Sequence, residues 1–156
     1  MKRAHVTTGL MLLALTVMGA SSVAAQSADT RYGVWRIEST NPPPFLNIMT
    51  YEPAGDGGMQ VTVEATNARG ETTRWGYMTM FDGVFRPVHG QENSETAVEF
   101  VDEFSTRITN KRNGRVTQVI INTLTPDLNM INNEYVRMDE QGRITAVTHA
   151  TYHRIR

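Results

Sequence analysis

Turn-forming residues recur at strand-length intervals along most of this 156-residue chain, and no helical period stands between them. The marks are Asn41-Pro42-Pro43-Pro44, Pro53 to Gly58, Asn67 to Gly70, Asp82-Gly83, His89 to Ser94, Lys111 to Gly114, Thr125-Pro126-Asp127 and Asp139 to Gly142. Asn-Gly and Asp-Gly steps suit hairpins because both residues accept positive φ. Between the marks the sequence predicts strands near 33–39, 45–52, 59–66, 71–80, 84–88, 96–101, 104–111, 115–124, 130–138 and 143–153. The segment Met59–Thr66 is the clearest. Met59, Val61, Val63 and Ala65 alternate with Gln60, Thr62, Glu64 and Thr66, the period of a strand with one dry and one wet face. No helix beyond a single turn is expected. Short antiparallel strands joined by tight turns must bury one face without leaving long bare edges. A single up-and-down antiparallel β-barrel of about 8–10 strands does that, and a sandwich is the competing solution. Hairpins in chain order favour the barrel.

The first residues read as a secretory leader. Met1-Lys2-Arg3 is basic, Leu10–Met18 is apolar and uncharged, and Val23-Ala24-Ala25 places small residues where a signal peptidase cuts. The expectation is a signal peptide over residues 1–25, cleaved near Ala25, and one domain over 26–156 in the periplasm or outside the cell. The apolar run is shorter than the roughly 20 residues a membrane span requires, so no transmembrane segment is expected in the mature chain. With no cysteine in the chain there is no lipid-anchor site, disulfide, thiol nucleophile, thiolate zinc site or iron–sulfur cluster. The formal charge of −1 becomes more acidic once Lys2 and Arg3 leave, and the arginines are scattered, so nucleic acid is not an expected partner.

Four motifs in order carry a resemblance. Gly33-Val34-Trp35 opens the first strand as Gly-x-Trp does in lipocalins. Then come Tyr51-Glu52-Pro53-Ala54-Gly55-Asp56-Gly57, Asn67-Ala68-Arg69-Gly70, and Phe81-Asp82-Gly83 with Pro87-Val88-His89-Gly90. Over residues 33–90 the chain resembles a group of small exported bacterial lipocalin-like proteins to which no activity is assigned. The resemblance implies a lipocalin-like barrel. The chain departs from that group after Trp35, where Ile37 to Thr40 runs straight into the prolines. That connection is too short for the helical lid of fatty-acid-binding proteins.

The resemblance also implies a role for Gly33, Trp35 and Arg154. In lipocalin-like barrels such a Trp fills the floor, Gly lets another segment approach, and a basic residue of the last strand, here Arg154 or Arg156, packs across the ring. Trp75, Tyr77, Met78, Met80 and Tyr135 are the candidate ligand-binding residues, taken from both faces of the fourth strand because sequence does not decide its parity. Asn122, Asn132 and Asn133 interrupt apolar strands. Each marks either a polar spot inside the barrel or a position facing water.

No Gly-x-Ser-x-Gly elbow, His-Glu-x-x-His or recognisable triad is present, so neither an enzyme nor a cofactor is expected. His149 and His153 share one face of the last strand about 13 Å apart, too far to grip one metal. The leading expectation is a barrel that takes a small lipophilic or amphipathic molecule. The alternatives are a filled barrel acting as an envelope structural or interaction module, and a haem barrel of the nitrobindin type ligated by His149. The oligomeric state is not readable from the sequence.

Overall fold

The computed structural model describes residues 28–156, so the leader expected over 1–25 lies outside the described residues. The strands are β1 (Gly33–Ile37), β2 (Leu46–Ala54), β3 (Gly58–Thr66), β4 (Thr72–Thr79), β5 (Arg86–Pro87), β6 (Ser94–Phe100), β7 (Ser105–Arg112), β8 (Arg115–Leu124), β9 (Met130–Met138) and β10 (Ile144–Arg154). One 3-10 turn, Asp29–Arg31, precedes them. No helix among the described residues is long and apolar enough to cross a membrane. Every hairpin is antiparallel, and the ten strands form one sheet in the order β4-β3-β2-β1-β10-β9-β8-β7-β6-β5. The first and last strands pair, with Trp35 opposite Arg154 and Ile37 opposite Tyr152. The result is a nearly closed lipocalin-like barrel.

Its seam lies between β4 and β5. Isolated bridges join the two sides there: at Gly76 the amide donates to the His89 carbonyl at 3.0 Å and accepts at its own carbonyl from the His89 amide at 2.8 Å, and just past β4 Asp82 bridges Glu99 of β6. Glycine is required at the first of these, since a Cβ on Gly76 would stand 2.4 Å from the Val61 carbonyl oxygen. The predicted strand at 84–88 shrinks to Arg86–Pro87 for a local reason. The Asp82 carboxylate accepts from the Val84 amide at 3.1 Å and from the Arg86 guanidinium at 2.7 and 2.8 Å, so side chain replaces ladder. These bonds hold the Asp82 carboxyl well below the usual carboxylate range, the Arg86 bond being the largest cause.

The closed end is built on Trp35, which has no exposed surface. The Arg154 guanidinium lies 4.1 Å from its ring. That guanidinium also donates to three main-chain carbonyls, of Leu128 at 2.8 Å, Thr30 at 2.7 Å and Tyr32. Gly33 leaves the space: a Cβ there would lie 2.6 Å from the Arg156 carbonyl oxygen and 2.7 Å from Arg154 Nη1. The ring nitrogen of Trp35 donates to the Arg31 carbonyl at 3.1 Å. The 29–31 turn thereby stoppers the barrel, and Arg31 enters it from below with 1 % of its surface exposed.

Candidate functional site

Above this floor the barrel holds a partly open cavity of about 340 Å³. Its position follows from strand alternation, which sends every second residue inward. One wall is apolar and aromatic, from Met49 and Tyr51 on β2, Val61 and Val63 on β3, and Trp75 and Tyr77 on β4. The Trp75 and Tyr77 rings lie 6.3 Å apart with planes within 18° of parallel and form one flat panel. Ile108 and Ile120 face them from β7 and β8. Asn47, Gln91, Ser94, Arg112 and Thr117 stand around the upper part.

The polar groups are organised. Near the top, Thr96 donates to Asn110 Oδ1 at 2.8 Å and Asn110 Nδ2 to Gln118 at 3.0 Å. At the bottom a second chain starts from buried Arg31, whose guanidinium donates to Asn122 Oδ1 and to the Phe104 carbonyl. Asn122 Nδ2 then donates to Asn133 Oδ1 at 2.7 Å, and Asn133 Nδ2 to the Tyr135 hydroxyl oxygen at 3.0 Å. The amides are buried, at 2 % exposure for Asn122 and 5 % for Asn133. One polar atom on the upper wall has no such support: Asn47 Oδ1 is buried with no hydrogen-bond partner.

The electrostatics follow from burial. Desolvation pushes the Tyr51 phenol up to about 12, against the pull of the Arg31 charge and of Asn122. Tyr77 and Tyr152 are raised by the same cause. Burial lowers the Arg31 pKa, while Tyr51, Asp102 and Tyr77 act in the other direction. A guanidinium nevertheless stays charged in proteins.

The cavity brings together three of the five candidate binding residues, Trp75, Tyr77 and Tyr135. Met78 and Met80 fall on the opposite face of the β4 line. Met78 is 38 % exposed, and neither methionine borders the cavity. The reason is register: Trp75 and Tyr77 stand opposite Val63 and Val61, so the residues between them turn outward. Of the three asparagines, Asn122 and Asn133 point inward, whereas Asn132 is exposed and accepts from Thr151 at 3.0 Å.

The haem alternative needs His149 inside the barrel, and the structure corrects this. Tyr152 and Ala150 take the inward positions of β10, while His149 lies outside, with its side chain 70 % exposed and its ring 3.9 Å from Glu134. His153, on the same outer face, meets Glu38 at 2.9 Å. Among the described residues no three His, Asp or Glu side chains are grouped to hold a metal ion.

Arg31, Asn47 and Tyr51 were not singled out from sequence. Tyr51 sits inside the Tyr51-to-Gly57 motif, and the inward parity of Asn47, Met49 and Tyr51 is legible once that strand is placed. Arg31 lies in a short segment with no periodicity and carried no signal.

No family model matches the chain, and no curated protein matches it. Solved structures do. The wild-type fluorescent protein UnaG is similar with a TM-score of 0.57 at 13 % identity, over 81 % of this chain and 98 % of that one. Two single-site mutants of UnaG give TM-scores of 0.58 and 0.55 at 13 % and 11 % identity. At this identity the likeness is one of fold: the chain is similar to a lipocalin-like barrel closed around an interior.

Proposed function

We propose that this protein is an exported binding protein that takes one small amphipathic molecule into its barrel. The observation that carries the reading is the lumenal cavity, about 340 Å³, with an aromatic wall on one side and ordered hydrogen-bonding groups on the other. Such a volume is within the range of ligand pockets, and a few fixed polar groups in an apolar setting are what orient a ligand. The unpaired Asn47 oxygen supports it, because an acceptor buried without a partner costs about 1–3 kcal/mol until something supplies a donor. Export, and membership of the small exported lipocalin-like group, rest on the leader pattern and the four motifs.

The test uses the two tryptophans. Trp75 borders the cavity and Trp35 is sealed beneath it. A ligand entering the lumen therefore changes Trp75 emission, and the Trp75→Phe variant loses that response while keeping the Trp35 signal. A response that survives Trp75→Phe places binding elsewhere and defeats the reading. Native mass spectrometry of the protein from its own host identifies what fills the barrel.

A further inference from the structure

Arg31, Asn122, Asn133 and Tyr135 form a hydrogen-bond chain whose direction is set at its deep end. A guanidinium has donors only, so Asn122 must turn its oxygen toward Arg31. That leaves Asn122 Nδ2 to donate to Asn133 Oδ1, and Asn133 Nδ2 to donate to the Tyr135 oxygen. No amide in the chain can flip without setting donor against donor. The Tyr135 oxygen is thus an acceptor to its support, and its own O–H is directed away from it. Tyr135 borders the cavity, so that hydrogen is offered to whatever enters there.

A charge stands behind that hydrogen. Among the described residues no carboxylate forms an ion pair with Arg31; its contacts are the Asn122 amide and the Phe104 carbonyl. Asp102 acts on it at longer range, with its carboxylate occupied by the Phe104 and Ser105 amides. In a low-dielectric interior, aligned hydrogen bonds polarise one another in the direction set by the cation.

We propose that the cavity floor selects a head group that only accepts hydrogen bonds and carries negative charge, an organic carboxylate, over the alcohol of the same skeleton. This rests on the lumenal binding reading above and adds the class of ligand to it. A carboxylate receives the phenolic hydrogen and sits in the field of Arg31. An alcohol oxygen can accept the same hydrogen, but it brings no negative charge to the field of Arg31 and so gains less.

The experiment compares 1-naphthoate, 1-naphthalenemethanol and naphthalene by calorimetry at neutral pH. The wild-type protein is expected to bind the carboxylate at least about tenfold tighter than the alcohol, the size of one hydrogen bond to a charged group. Tyr135→Phe removes the terminal donor, so the two then bind within about threefold, with naphthalene unaffected. Asn133→Asp still accepts from Asn122 but takes the Tyr135 hydrogen for itself, so preference inverts toward the alcohol. Equal binding of all three probes by the wild type, or a preference that survives Tyr135→Phe, overturns the proposal and leaves lumenal binding standing. Failure of all three to bind the wild type defeats both.

Discussion

At the scale of single residues, a few side chains are set where the fold alone gives no reason to set them. Arg154 has one: it covers Trp35 and satisfies three carbonyls at the closed end, so charge and packing serve the same joint. Asn47 has none, because its buried oxygen has no hydrogen-bond partner. Replacing it with valine, a better strand former, removes that penalty. Asn47→Val is expected to stabilise the ligand-free protein by about 1 kcal/mol in urea denaturation. A lowered midpoint would show that this oxygen is already satisfied. Arg31 is the contrasting case, a buried cation whose polar contacts are neutral and whose charge is felt only through them.

At the scale of elements, the ladder is continuous from β4 round through β1 and β10 to β5, and the remaining gap carries only isolated bridges, Gly76 with His89 and Asp82 with Glu99. Element order makes this the weakest join. A side chain at Gly76 collides with the backbone of β3, not with a movable group. Gly76→Ala is therefore expected to cost about 2 kcal/mol. Hydrogen exchange should show where the strain goes, with protection lost along β4 and residues 86–90 and kept across β1 and β10. Uniform loss of protection would mean that the seam is no weaker than the rest. The Asp82–Arg86 clasp explains why β5 is too short to close the gap itself.

At the scale of the molecule, an interior that buries several phenols makes stability depend on alkaline pH. Tyr51 titrates at about 12 in the folded protein, and Tyr77 and Tyr152 are raised too. In the unfolded chain tyrosines titrate near 10. The folded state holds these protons more tightly, so the contribution of Tyr51 is complete below pH ~10 and is lost as pH rises from ~10 through ~12, with Tyr77 and Tyr152 acting in the same direction. The expected slope is about 1.4 kcal/mol per pH unit for each such tyrosine. Tyrosinate absorbance followed alongside circular dichroism checks it: these phenols should ionise only as structure is lost. Ionisation near pH 10 with the barrel intact would mean that water reaches them. Export is checked at the same scale by the mass of the protein in the periplasmic or extracellular fraction, expected to begin at Gln26.

The strand count, the hairpin order and the barrel were legible in the chain, because turn chemistry and the two-residue period are local properties that each stretch carries by itself. All ten strands fall where the turn signals leave room, and Met59–Thr66 alternates as read. Parity was not legible for β4: Trp75, Tyr77, Met78 and Met80 are all apolar, and only pairing with β3 selected which two face the lumen. The polar floor was further out of reach. Asn122 and Asn133 meet across neighbouring strands, and Arg31 joins Asn122 from 91 positions away. Sequence determined that this chain curls into a barrel; tertiary structure alone decided what the barrel presents to its contents, since hydrogen bonds between distant segments exist only after the sheet has closed.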